Sequence, residues 1–354
     1  MTASTVTTPV ESQDQLTSIE ISVKGKWITV PALAVDDKRL WVRGRRIKSA
    51  VVYAEEWLES EVSDPSLCIK SLKEQKKGPL RADIFSFSQM LPHTLPKYDY
   101  PMEWQSVAAT PTSSFKQWWE NLPQTTRKNV RRSQKRDVVV SLRKLDDKLI
   151  EDIVDLNNDS PVRQRIPFSH YGKSFDQVKK DQSSYLDHSD FICAYVEDDL
   201  VGFLKLVHRG KVASILQLLP RASEQDRRPA NALLAKAVEV CAAKGVEYLT
   251  YGQLNYGNKR DSPLRDFKIR NGFGEILVPR FHVPLTVWGA FCVKTKLNRG
   301  LVGILPHRVI AAGIKARAAW YSIKYKTGRC SSTSEHPNSN RQMGRSSPPA
   351  GSNS

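Results

Sequence analysis

No apolar run in this chain approaches the ~20 residues needed to cross a bilayer; stretches such as VASILQLLP, 212–220, stop well short. The opening MTASTVTTPVESQDQ has neither a basic segment nor an apolar one, so it reads as part of a disordered leader, 1–18, and not as a secretory signal. Cysteine is scarce and scattered. Cys68, Cys193, Cys241, Cys292 and Cys330 are odd in number and form no C-x-x-C pair, which argues against a zinc site and a disulfide framework and favours the reducing cytoplasm. Cys193 and Cys241 fall in apolar patterns, as small buried hydrophobes do. The seven histidines show no metal-ligand spacing, so no metal is expected. Acid is almost missing from one end: Gly289 to Ser354 holds eleven Lys/Arg against Glu335 alone. Much of the formal charge of +17 therefore belongs to the tail, and the body is only moderately basic. That balance suits phosphate-bearing ligands, anionic lipid or nucleic acid.

What is present is an ordinary globular composition, 40% hydrophobic and 26% charged, on a chain long enough for two domains. No internal repeat is visible. Short β-rich runs with turns (IEISVKG, KWITVPALAV, KRLWVRG, SAVVYAEEWLES) predict a small meander that feeds into a helix. DIFSFSQMLP predicts another strand, and LPHTLPKYDYPMEW a Pro-rich crossing loop. Ser114 caps a helix carrying Phe115, Trp118 and Trp119; Pro123 interrupts it, and a basic helix runs from Thr125 to Arg136 before the strand VVVSL. DDKLIEDIVDLNND has Leu149, Ile153 and Leu156 at helical spacing.

From 190 the order is clearest. DFICAYVEDDLVGFLKLVHRGKVASILQLLP is an antiparallel meander of three strands. A helix follows with Pro229 in its first turn, Leu233, Leu234, Ala237, Val238 and Cys241 on one face, and Gly245 at its end. VEYLTYG is a strand, then comes a short basic helix with an Asn271-Gly272-Phe273 corner, then the strand EILVPRFHVPL. This is an α/β order. Helices are expected over 290–326. One, near 307–324, carries a Val309, Gly313, Ala316, Trp320, Ile323 stripe beside Arg308, Lys315, Arg317 and Lys324, a pattern that suits either an anionic membrane surface or core packing. Residues 327–354 are low-complexity and read as a disordered tail.

Taken together, this order and these residues resemble the GNAT acyltransferase superfamily, and within it the Fem-like branch of bacterial peptidoglycan-bridge aminoacyltransferases. The likeness is best over 110–286. It implies a mixed central sheet flanked by helices in two GNAT-like halves, α/β (α+β) in class. The corresponding division is an N-terminal half at 19–110, a C-terminal Fem-like domain at 111–288, and a basic helical extension at 289–326. It also implies an acyl-CoA, such as acetyl-CoA, or an aminoacyl-tRNA as donor, and an amine or hydroxyl acceptor that is a small molecule or is carried on a lipid or nucleotide.

In that superfamily the loop before the central helix grips the coenzyme A pyrophosphate with a Q/R-x-x-G-x-G/A pattern. The matching residues are Gln225, Arg228 and Ala230, with Arg228 where a glycine is usual; Arg227, Asn231 and Leu218 would join the grip. A solvated helix start is the alternative for the two arginines. Lys268 in FKIRNGF takes the slot of a tyrosine general acid. It resembles the lysine that stabilises the developing oxyanion in the Fem aminoacyltransferases. The alternative is a surface lysine, and Lys268→Ala is expected to lower turnover with little loss of stability. Gln217 would line the acyl group, and Asn255 and Tyr256 follow the strand that borders the cleft, Tyr256 as a general acid or a packing residue.

The loop SPVRQRIPFSHYGKSF gathers Arg163, Arg165, His170, Tyr171 and Lys173, either to bind acceptor or phosphate with His170 as base, or as a lid facing water. Arg127, Arg131 and Lys135 form a cationic stripe for phosphate or tRNA, or a solvated helix face. The expected site of action is the cytoplasm or the inner face of the membrane. A second expectation is tRNA-dependent transfer, and a third is a binding protein that kept the fold without catalysis.

Overall fold

The computed structural model describes residues 15–23, 26–55, 61–163, 166–255 and 262–299. Strands β1 (Gln15–Val23), β2 (Lys26–Val35), β3 (Lys38–Arg43) and β4 (Ser49–Val52) form an antiparallel meander. Helix α1 (Pro65–Glu74) crosses to β5 (Ile84–Ser88), which runs parallel to β4, and β6 (Met102–Pro111) follows. Next come α2 (Phe115–Asn121), α3 (Gln124–Lys135), β7 (Val139–Arg143) and α4 (Asp147–Asn158). A two-residue ladder, β8 (Val162–Arg163) with β9 (Ile166–Pro167), precedes α5 (Phe175–Gln182). A second meander of β10 (Ser189–Val196), β11 (Asp199–Arg209) and β12 (Val212–Pro220) leads through α6 (Pro229–Ala243) to β13 (Tyr248–Thr250), parallel to β12. Helix α7 (Pro263–Arg270), β14 (Gly274–Pro284) and α8 (Val287–Lys294) complete the order.

Twelve strands join in one sheet, β1-β2-β3-β4-β5-β14-β6-β13-β12-β11-β10-β7. Read from either end the order is the same: an antiparallel meander, a helical crossover, then a strand parallel to the meander's last. The expected mixed sheet flanked by helices is what the chain forms, in two halves of like topology. The two central strands are exchanged. β14, last in sequence, pairs with β5 of the first half, and β6, from the first half, pairs with β13 of the second. A repeat therefore exists in topology although none shows in the sequence.

Period-two alternation decides what covers each face of the second half. Ile192, Ala194, Leu204 and Leu206 point to one side, under α2, α3 and α6. Phe191, Cys193 and Phe203 point to the other, under α4 and α5. α6 lies against the sheet on one side and α3 on the other, which is why its sequence, PANALLAKAVEVCAA, is apolar almost all round. Local chemistry sets the helix ends. Ser114, Asp146, Ser174, Ser262 and Thr286 each accept a backbone N–H from the first turn of their helix, a cap worth ~1 kcal/mol apiece.

Some expectations need correction. The first strand begins at Gln15, earlier than Ile19. After Val52 the chain turns; the helix expected at the end of SAVVYAEEWLES falls largely on 56–60, outside the described residues, and the next described helix is α1, capped by Asp64. β6 and α5 are elements that periodicity did not signal. The leader over 1–14, Arg165, Tyr256, the helix near 307–324 and the tail over 327–354 lie outside the described residues. Among the described residues, no helix is long and apolar enough to cross a membrane, and no cluster of His, Cys, Asp and Glu could hold a metal ion.

Candidate active site

Where β12 and β13 part, the structure makes an opening. The two are paired only from Val212↔Tyr248 to Ser214↔Thr250. Beyond that β12 bulges: Leu206 of β11 faces Ile215 and Lys205 faces Gln217, leaving Leu216 over. A bulge bends its strand and increases its twist, so β12 swings from β13 as it leaves the bulge. Leu216 and Gln217 on one arm, and Gln253 and Asn255 on the other, line a cleft of about 1990 Å³ on the α5 side of the sheet.

The first half has the same parallel pair, β4 with β5, ending at Val51↔Ser86. There the Glu55 carboxylate fills the gap: it accepts the Ser88 N–H, and Arg280 Nη1 bonds Ser88 Oγ at 2.8 Å and lies 3.2 Å from Glu55 Oε2. One wedge is closed by a carboxylate and the other opens on the cleft.

The wall opposite β12 comes from 169–185. Asp181 gathers the contacts: Oδ1 accepts Trp27 Nε1 at 2.8 Å, Oδ2 accepts Lys173 Nζ at 2.5 Å, and His170 Nδ1 lies 3.7 Å away. Burial by itself would raise the Asp181 pKa, but the hydrogen bonds from His170, Lys173 and Trp27 outweigh it and bring it down to about 2. Gln182 Nε2 donates to Gln217 Oε1 at 2.9 Å and so orients the one polar side chain on the β12 arm. Beneath that pair lies Lys205, wholly buried, its ammonium bonded to the Gln182 carbonyl at 2.6 Å and set over Phe191. Burial lowers its pKa to about 7.

On the other arm Asn255 is fixed from three sides: its N–H to Ser106 Oγ at 3.2 Å, Nδ2 to Glu275 at 2.6 Å, and Oδ1 from Arg265 Nε at 2.9 Å. Lys268 is also on this side, one layer beneath the cleft surface. It is fully buried, not a surface lysine; Nζ donates to the carbonyls of Tyr251 at 2.5 Å and Gln253 at 2.8 Å, over the Tyr251 ring. Burial lowers its pKa to about 8. The Asn271-Gly272-Phe273 corner ends α7 against α2. Gly272 has φ +87, and a Cβ there would come 2.8 Å from Trp118 Nε1.

Of the residues singled out from sequence, His170, Lys173, Gln217 and Asn255 meet in the cleft. Tyr171 is exposed and outside its lining. Arg163 is a clamp, donating to the carbonyls of Pro220 at 2.6 Å and Leu156 at 3.1 Å, with its guanidinium over Phe168. The 225–231 segment is at the start of α6, on the opposite face. Arg227 donates to Glu224 and to the Arg136 carbonyl, and the Asn231 amide is buried against Asn271, so both side chains have partners within the protein. Arg228 takes the left-handed backbone, φ 59 and ψ 41, that a glycine would adopt, and its Nε is buried with no hydrogen-bond partner. Gln225 belongs to the 3-10 turn before it, Ala230 to the first turn of α6, and Leu218 packs half-buried against the α6-side core. Arg131 stacks over Trp119, 5.7 Å from its centroid, and Arg127 is half-buried on α3; neither lines the cleft. Sequence reasoning passed over Asp181, Gln182, Lys205 and Gln253, and also Trp27, which reaches the site from the far edge of the sheet.

No protein-family model and no curated protein sequence matches the chain. Solved structures do. The chain is similar to FemX at 11% identity and a TM-score of 0.48, with 77% of this chain and 89% of that one covered. It is similar to L-PGS from Bacillus licheniformis at 14% identity, TM-score 0.47, covering 75% and 85%. A tandem GNAT protein from the clavulanic acid biosynthesis pathway aligns at 9% identity, TM-score 0.38, covering 72% and 82%.

Proposed function

We propose that this chain is an acyltransferase that moves an acyl or aminoacyl group onto an amine or hydroxyl acceptor held in the cleft. The observation that carries the proposal is the open β12/β13 wedge. Past Ser214 no strand among the described residues pairs with the β13-facing edge of β12, so its backbone amides border the cleft, where an acyl oxygen would need donors. The acceptor attacks the carbonyl carbon of a thioester or ester, the tetrahedral oxyanion collapses, and the thiol or hydroxyl of the donor leaves with a proton. Lys268 supports the other arm through the Tyr251 and Gln253 carbonyls and adds positive charge from below. Gln217 and Asn255 would orient the reacting groups.

A second reading is supported by the start of α6. With Arg227 and Asn231 engaged within the protein, the start of α6 has fewer side chains free for a CoA pyrophosphate, so an aminoacyl-tRNA ester is the alternative donor. Calorimetric titration with acetyl-CoA, free CoA and a charged tRNA separates the two. CoA binding at or below about millimolar concentration supports the thioester. Binding of charged tRNA alone supports the ester. If none of the three binds, catalysis at this wedge is wrong.

A further inference from the structure

Helix α8 turns its apolar side outward. Val287, Trp288 and Phe291 are 90%, 46% and 51% exposed, and the rings of Trp288 and Phe291 stack with centroids 5.6 Å apart. The helix cannot rotate to hide them. Its inner side is locked by Gly289, where a Cβ would lie 1.9 Å from the Asp83 carbonyl oxygen, by the buried Cys292, and by the Thr286 hydroxyl, 3.1 Å from the Asp83 carboxylate. Single exposed apolar residues are commonplace, but a stacked pair with a valine on one helix face marks a surface built to be covered.

The surroundings identify the cover. Trp288 Nε1 donates to the Arg46 carbonyl at 3.3 Å, which brings the loop RGRRIK, 43–48, alongside, with Arg45 and Arg46 exposed. Lys294 and Lys296, also exposed, follow on the other side. Neither 43–48 nor 285–299 contains an acid, and 300–326 continues with Arg308, Lys315, Arg317, Lys324 and Lys326 and again no acid. A second copy docked on its own patch would set these cations against themselves. A nucleic acid would answer the cations but leave Val287 unburied. An anionic bilayer surface answers both, since its interface takes aromatic and aliphatic side chains while its headgroups attract lysine and arginine.

We propose that Val287, Trp288 and Phe291, ringed by Arg45, Arg46, Lys294 and Lys296, dock this protein on an anionic membrane surface. The patch is continuous with the cleft: Arg43 of the same loop and Arg299, just after α8, both line it, Arg299 bonded to Glu103 at 2.6 Å. A docked molecule therefore presents its cleft at the headgroup layer, where a lipid-borne acceptor lies. The docking does not depend on the acyltransferase reading and is tested without activity.

The full chain is floated with vesicles of phosphatidylcholine alone and with about 30% phosphatidylglycerol added. Binding is expected only to the second, weakening as salt is raised. Trp288→Ser with Phe291→Ser, and separately Arg45→Glu with Arg46→Glu, are each expected to weaken it at least about tenfold with unchanged far-UV circular dichroism, because all four side chains are at the surface. Val139→Ser, which removes an exposed apolar side chain on β7 at the other end of the sheet, is expected to leave it unchanged. The proposal is overturned if the wild type ignores anionic vesicles, if it binds neutral ones equally, or if the α8 pair variant binds as well as wild type. It is also overturned if the patch holds tRNA but not vesicles, or if the chief effect of Trp288→Ser with Phe291→Ser is to abolish a dimer.

Discussion

A buried ammonium must find its hydrogen bonds inside the protein, and at Lys268 it finds two backbone carbonyls. Lys268→Met keeps most of the volume but leaves the carbonyls of Tyr251 and Gln253 without that donor, so the variant should lose about 1–3 kcal/mol at pH 7 by urea denaturation. A loss of activity in Lys268→Ala therefore needs a folding control, contrary to the expectation from sequence that stability would be little affected. The pH dependence has a definite sign. The folded pKa of about 8 lies below the ordinary lysine value of 10.5, so between those pH values the unfolded chain binds more protons, and this group makes stability rise with pH. The difference between wild type and Lys268→Met should grow across that window; a flat difference would mean the ammonium is solvated. Asp181 acts in the opposite region. With its pKa lowered from 3.8 to about 2, it contributes stability above the upper value that is lost as pH falls through the lower one. Asp181→Asn should remove that acid-limb loss and loosen Trp27, which its fluorescence can report.

Among the elements, the α7 corner is the most constrained. Gly272→Ala places a Cβ against Trp118 Nε1 and Leu122 on a left-handed backbone, so a loss of about 1–3 kcal/mol is expected, together with a shift in tryptophan emission. Equal stability in thermal and urea melts would show that α2 yields at no cost. This corner was legible because glycine after asparagine has a local meaning. So were α4, the β10–β12 meander and α6, whose apolar spacing repeats at the period of the element. β6 was not: MEWQSVAATP is half-exposed at its start and buried only at Ala108–Thr110, so it lacks both strict alternation and a long apolar run. α5 was not, because its eight residues bury only Val178 and Gln182. Missing α5 meant missing Asp181 and Gln182, and with them half the cleft.

At the scale of the molecule, the exchange of β6 and β14 ties the halves together. Each supplies a strand that the other's sheet requires, and those two strands pair with each other from Gly274↔Ala109 to Phe281↔Met102. Urea unfolding should therefore give one transition, coincident by tyrosine and tryptophan emission and by far-UV circular dichroism. Two separated transitions would show that the halves are independent despite the shared strands. What the sequence alone determined is local: helix caps, breaks at proline, turns at glycine, the order of elements in the second half, and a basic end with a single acid. Those depend on residues a few positions apart. Tertiary structure decided which wedge opens and which Glu55 closes, that Lys268 faces backbone carbonyls and not water, and that Trp27 meets Asp181 across 154 positions of chain. Such pairings follow from strand register and burial summed over the whole sheet, and no short stretch of sequence contains that sum.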